Sequence, residues 1–136
     1  MLLIAPGCEI ETTLLVCPAA HPDDFAAFAA FLQQADVIMT MQGIASELQV
    51  VGFHPEFIYS EAPHEPWDCR DGEDPCSYTN RAPHPMIHLL RQASVREAVE
   101  AHPDARSISV TNERLLRKLG LDHVRELLWG RTGPGE

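Results

Sequence analysis

The sequence predicts a small α/β (or α+β) domain with about three strands in a partly parallel sheet, about four helices and a long acidic loop rich in proline. Two runs of β-branched and aromatic residues, at 10–17 and 48–53, are typical of strands. An apolar stripe with helical spacing lies between them. A strand, a helix and a strand joined by short turns form a right-handed crossover, so we expect the two strands to be parallel neighbours.

The first strand stops at Pro18, and the helix after it begins near Pro22 with acidic residues in its first turn. The apolar stripe continues at spacings of three and four residues until about Gln42, and Gly43 is a stop signal. This side of the helix should face the core. Its members are Phe25, Phe28, Leu32, Ala35 and Met39.

The remaining sequence predicts a third strand and three shorter helices. Residues 86–91 are typical of a strand, and the capping box at 94–97 predicts a helix that ends near Ala101. Two more helices are expected at 112–119 and 122–129.

Between the second and third strands, residues 55–83 contain five prolines and seven acids without clear periodicity, which predicts an irregular loop across the strand ends. We expect one domain over 1–130 and a disordered tail over 131–136.

The net charge of −10 is unevenly distributed along the 136 residues. Residues 1–90 contain 13 acids against Arg70 and Arg81, whereas residues 91–136 contain seven acids and eight bases. Nucleic acid and anionic membranes are poor partners for such a surface, since binding to phosphate requires a basic face. No secretion signal or membrane-spanning run is visible, so we expect a cytoplasmic protein with free thiols at its four cysteines.

Candidate site residues follow the second strand and surround the third. His54 comes directly after an apolar strand, where an imidazole can act as a base or metal ligand, although it can equally fix the turn. Asn80 and Arg81 can present donors to an anionic group, or Arg81 can clamp the acidic loop. His88 lies within the third strand, where a histidine satisfied by the backbone is the competing interpretation.

A divalent metal is the cofactor to consider, with His54, His84 and His88 as ligands. Cys69 and Cys76 lie in the acidic loop but are farther apart than the closely spaced ligand pairs of zinc sites. The sequence has no phosphate-binding glycine loop, no Gly-x-Ser-x-Gly elbow and no His-Glu-x-x-His helix, which disfavours the common nucleotide-binding and hydrolase classes.

Several motifs in order resemble the bacterial family called domain of unknown function 1415, over roughly residues 9–120. They are Glu11-Thr12-Thr13-Leu14-Leu15-Val16, Gln49-Val50 to Phe53-His54-Pro55, Thr79-Asn80-Arg81 with Pro83 and Pro85, and Met86-Ile87-His88-Leu89-Leu90-Arg91. The resemblance implies that these positions are shared within the family, but it brings no activity. It also implies an N-terminal Cys-Pro-Phe-Ala segment, which this sequence lacks.

Two functional hypotheses remain at this point. The first is a site at the strand ends for a small molecule with an anionic group, or for a metal, with enzymatic activity left open. His54, Asn80, Arg81 and His88 would form it. The second is a non-catalytic interaction domain in which the acidic loop 56–76 contacts a basic partner. An open sheet edge would also allow two copies to associate.

Overall fold

The computed structural model describes residues 12–59 and 73–130. These residues form three strands and four α-helices, which confirms a mixed α/β domain. Two 3₁₀ helices, at Pro75–Thr79 and Ala105–Ser107, add single turns. The regular elements are β1 (Thr12–Val16), α1 (Phe25–Met41), β2 (Leu48–Phe53), β3 (Met86–Arg91), α2 (Gln92–Ala101), α3 (Ile108–Leu119) and α4 (Leu121–Trp129).

The strand order is β1-β3-β2, and β3 pairs antiparallel with both neighbours. The predicted direct parallel pairing of β1 and β2 is therefore wrong, because the later strand β3 inserts between them. β1 and β2 nevertheless run in the same direction, since each is antiparallel to β3. Val16 and Phe53 both lie opposite Met86, so the carboxyl ends of β1 and β2 meet at one edge of the sheet as expected.

The α1 helix packs on one face of this sheet, against β2. Asp24 caps its N-terminus by accepting a hydrogen bond from the backbone N–H of Ala27 at 2.9 Å. Phe28, in the middle of the predicted apolar stripe, is only 1% exposed. The stripe packs so closely on β2 that a Cβ at Gly52 would lie 2.3 Å from Cδ1 of Leu32, so a larger residue at this strand position would displace that side chain.

We call the opposite side of the sheet the outer face. Gly52 of β2 and Leu15 of β1 both lie opposite Ile87 of β3. Because Gly52 faces α1, all three residues lie on the α1 side of the sheet. Because side chains alternate along a strand, the next set, Val51, His88 and Leu14, belongs to the outer face. Leu14 is 52% exposed, so the outer face is open along β1.

The 3₁₀ helix Pro75–Thr79 forms a second packing centre, against α3 and α4. It lies in a stretch that the sequence predicted to be irregular. Pro75, Cys76 and Ser77 are buried there. Asp74 caps the turn through a 2.9 Å hydrogen bond from the backbone N–H of Cys76, and the proline that follows has no N–H to leave unpaired.

The predicted boundaries of the last three helices need correction. The α2 helix begins at Gln92, directly after β3, and no side chain caps its N-terminus, so the expected capping box is not used. The α3 helix begins four residues earlier than expected, at Ile108. Gly120, with φ of 80°, separates α3 from α4, and Asp122 lies inside the first turn of α4 instead of capping it.

The residues that the structure describes include no helix that is both long enough and apolar enough to cross a membrane. Two of the four cysteines, Cys17 and Cys76, are described, and both are free thiols as predicted. The tail 131–136 and most of the acidic loop lie outside the described residues.

Candidate functional site

The strand-end edge brings together some of the predicted site residues. The backbone N–H of Cys17 donates to the carbonyl of Pro85 at 2.9 Å, and that of His54 donates to the carbonyl of Asn80 at 3.0 Å. These bonds hold the ends of β1 and β2 against the loop that leads into β3. His54 and the pair Asn80-Arg81 are therefore neighbours, as the sequence predicted.

His54 has no exposed surface, and both of its ring nitrogens are hydrogen-bonded. Nε2 donates to the carbonyl of His21 at 2.8 Å, and Nδ1 accepts from the backbone N–H of Glu56 at 3.0 Å. This pattern requires the neutral tautomer with its proton on Nε2. Neither nitrogen is available as a base or a metal ligand without breaking one of these bonds.

Aromatic rings enclose His54 on the helix side. The imidazole centroid lies 5.6 Å from that of Phe25 and 5.1 Å from that of Phe28. The carbonyl that it contacts belongs to His21, a non-glycine residue with a positive φ of 53°. His54 therefore joins α1, the turn before it and the end of β2 into one packed unit.

Asn80 and Arg81 also use their donors within the protein. The Asn80 side-chain amide donates to the carbonyl of Gly52 at 3.1 Å. Arg81 donates from Nε to the carbonyl of Phe57 at 3.1 Å and from a terminal nitrogen to the Tyr78 hydroxyl at 3.2 Å. It also forms an ion pair with Glu73. These contacts match the prediction in which Arg81 clamps the acidic loop.

His88 lies apart from this group, on the outer face of the sheet. Its Nε2 contacts the hydroxyl of Thr12, and its ring centroid lies 6.3 Å from that of Phe53. Because the Thr12 hydroxyl donates its proton to the carbonyl of Leu89 at 3.2 Å, its oxygen accepts a hydrogen bond from Nε2–H of His88.

The structure does not gather the three histidines proposed as metal ligands. His54 is buried, His84 is exposed in the loop before β3, and His88 is half-buried on the outer face. Within 12–59 and 73–130, no group of three histidine, cysteine or acidic side chains lies close enough together to hold a metal ion. Cys69 and the acids near it lie outside these ranges.

A charged cluster that the sequence interpretation missed joins the 3₁₀ helix Pro75–Thr79 to α3. Arg117 donates to Asp74 at 2.7 Å and to Glu113 at 3.0 Å. Glu113 is only 4% exposed, and it also accepts from the Tyr59 hydroxyl at 2.9 Å. The one available sequence signal was the four-residue spacing of Glu113 and Arg117, which places both on one side of a helix.

The pKa values of Cys76 and Asp74 in this cluster shift in opposite directions. Burial raises the pKa of the Cys76 thiol to about 12, and the hydrogen bond with Asp74 adds to this effect. Burial also favours a higher pKa at Asp74, but hydrogen bonds from Arg117 and from the backbone of Cys76 outweigh it and lower the pKa. Cys76 is therefore a protonated core residue, not a reactive thiol.

A sequence model of one family, described as a protein of unknown function (DUF1415), matches residues 1–126. Searches of curated proteins and of solved structures find no significant match to the chain. The family match spans the sheet, the strand-end edge and the charged cluster, and it agrees with the resemblance carried by the strand and loop motifs. The chain therefore belongs to the family of unknown function DUF1415.

Proposed function

We propose that the protein is a non-catalytic interaction domain that binds a basic polypeptide segment. The observation that carries this proposal is the use of the candidate site groups within the fold. Both ring nitrogens of His54 and the donors of Asn80 and Arg81 bond to the protein itself. Catalysis at this edge would first have to break bonds that maintain the fold.

The charge of residues 12–59 supports a basic partner. This segment contains no lysine or arginine. Its acids are exposed, and no ion pair joins them to a described residue. They are Asp23, Asp24, Asp36, Glu47 and Glu56. A surface that carries only negative charges attracts a cationic segment and raises its association rate. This effect falls with ionic strength.

The test uses a fluorescein-labelled lysine–serine peptide as the probe and a glutamate–serine peptide of equal length as the control ligand. We expect the lysine peptide alone to bind, with weaker binding at about 0.3 M salt than at about 0.05 M. One variant should weaken binding of the lysine peptide at least about tenfold. It combines Asp23→Asn, Asp36→Asn, Glu47→Gln and Glu56→Gln. Asp24 is left intact because it caps α1.

A matched variant removes four exposed acids from the other end of the chain, at Glu97, Glu100, Asp104 and Asp122. It has the same net charge as the first variant and should retain most of the affinity. Equal loss in both variants would mean that net charge alone attracts the peptide. That result, or no binding by the unaltered protein, would refute the proposal.

A small-molecule site at His88 is the second candidate, because this predicted residue lies on the open face of the sheet beside Thr12 and Phe53. Phosphate, acetate, Zn²⁺ and Mn²⁺ are suitable probes for the anionic and metal versions of the site. Movement of the His88 ring resonances in an NMR titration, with shifts of neighbouring backbone amides that are lost in His88→Gln, would favour this candidate over the interaction domain.

A further inference from the structure

The α1 helix is apolar on the side that faces away from the sheet as well as on its core side. Such a composition is typical of a helix covered on both sides, since a surface helix normally has a polar outer side. Four large apolar side chains of α1 are substantially exposed. They are Phe31 (44%), Val37 (59%), Ile38 (58%) and Met41 (79%).

No charge interrupts this surface. Asp36 is the only charged residue among the 17 residues of α1, and its helical position places it well away from the middle of the exposed side. We call the exposed side the outer stripe of α1. It consists of Ala27, Ala30, Phe31, Gln34, Val37, Ile38 and Met41.

The outer stripe has the spacing of a helix-pairing surface. The outer stripe repeats every seven residues, at Ala27, Gln34 and Met41. Two further members, Ala30 and Val37, each lie three residues after one of these positions. This is the heptad pattern of helices that pack side by side. A shallow, open depression lies along the same side, lined by Ala30, Gln33, Gln34, Val37 and Ile38.

We propose that the outer stripe is a homodimer interface in which α1 of a second copy packs antiparallel across a two-fold axis at Gln34. The order of residue sizes along the outer stripe supports α1 of a second copy as the partner. An antiparallel pair centred on Gln34 places Ala30 opposite Ile38 and Ala27 opposite Met41, so a small residue meets a large one at these two steps. Phe31 meets Val37 in the same arrangement. A two-fold interface requires this self-complementarity.

Charge and area are consistent with a second copy as the occupant. Two chains with a net charge of −10 repel each other, so contact between them is least opposed where both surfaces are uncharged. With full side-chain areas on the order of 150–200 Å², the four large residues expose on the order of 400 Å² of apolar surface in each copy. Two copies with their alanines and glutamines approach the roughly 1,000 Å² of a specific interface.

The test replaces the residue on the two-fold axis. In a homodimer, either Gln34→Glu or Gln34→Lys places two like charges opposite each other at the two-fold axis. A mixture of the two variants places opposite charges there instead. Sedimentation equilibrium from about 1 to about 500 μM should show a dimer for the unaltered protein and at least about tenfold weaker self-association for each variant alone. The mixture should recover a heterodimer in native mass spectrometry.

Controls separate this interface from the open sheet and from misfolding. Gln34 is exposed, so both variants should keep the circular dichroism spectrum and melting temperature of the original protein. Leu14→Glu changes an exposed residue of β1 and should leave the dimer intact. A protein that stays monomeric throughout, or a dimer that Leu14→Glu disrupts and Gln34→Lys does not, would overturn the proposal. This inference is independent of binding to the lysine peptide.

Discussion

The two described segments of the chain, 12–59 and 73–130, use charge in different ways. The first contains β1, α1 and β2, has no lysine or arginine, and keeps its acids exposed. The second brings arginines and acids together around the 3₁₀ helix Pro75–Thr79, through Arg117 with Asp74 and Glu113 and through Arg125 with Glu73. Glu73, Asp74 and Glu113 of the second segment thus stabilise the fold through their arginines. The acids of the first segment other than the α1 cap Asp24 have no such contact with a described residue and remain available to a partner.

The two segments also differ in the kind of polar group that is buried at their packing centres. In the first segment the buried polar group is the neutral imidazole of His54, held between aromatic rings. In the second segment Ser77 and Glu113 are both buried, and the carboxylate of Glu113 lies next to the arginine that neutralises it. A neutral group needs only hydrogen bonds when buried, but a charged one also needs a partner of opposite sign. The two centres should therefore respond differently to mutation and to pH.

The largest effect should come from Arg117→Met. Its side chain is 9% exposed and contacts two carboxylates, so removing it leaves Asp74 and Glu113 largely buried without their arginine. Losing one partner of a buried ion pair typically lowers the free energy of unfolding by about 3–5 kcal/mol. Urea unfolding monitored by circular dichroism measures this change.

Arg125→Met is the matched control in the same segment. Arg125 also contacts an acid, Glu73, at 2.7 Å, but its side chain is 46% exposed. An exposed ion pair contributes at most about 1 kcal/mol, so this variant should lose far less stability. Similar losses in the two variants would show that burial does not distinguish the Arg117 cluster.

The next effect concerns the first segment. His54→Ala removes a fully buried ring and leaves the carbonyl of His21 and the N–H of Glu56 without a partner, which should cost about 2–4 kcal/mol. His84→Ala, at an exposed position, should change stability by no more than about 0.5 kcal/mol. Thermal unfolding of both variants is the measurement. An unchanged melting temperature in His54→Ala would return His54 to the functional candidates.

How far sequence reasoning succeeded differs between the elements. The stripe through Phe28 and Leu32 correctly predicted α1 and its buried side, because helical periodicity is a local property. The insertion of β3 between β1 and β2 was not predictable in this way, because strand order depends on contacts between distant segments. Likewise, the position of His54 after a strand predicted its place at the strand-end edge, but burial and ring contacts decided its role.

The same limit applies to the charged cluster. Glu113 and Arg117 are four residues apart, so their pairing on α3 follows from helix geometry. Asp74 lies 43 residues before Arg117, and no spacing rule connects them. Sequence reasoning therefore found residues that share an element or an edge, and it missed the group assembled from two remote elements.

The smallest effect is a pH dependence that arises from Asp74 in the second segment. Hydrogen bonds from Arg117 and from Cys76 hold the pKa of Asp74 below its value in the unfolded chain, which is about 3.9. The unfolded state therefore takes up the proton first as pH falls. The stabilisation from Asp74 is complete above about pH 5 and is lost as pH decreases through 3.9 and then through the lower folded pKa.

Asp74→Asn should accordingly be less stable than the unaltered protein at pH 6, and the difference should shrink toward pH 3. Asp36→Asn removes the same charge from the exposed surface of the first segment and should preserve the original pH dependence. Urea unfolding of the three proteins at intervals from pH 6 to pH 3 compares them directly. If Asp36→Asn flattened the profile as much as Asp74→Asn, acid sensitivity would not follow the buried ion pairs, and the contrast between the two segments would not extend to pH.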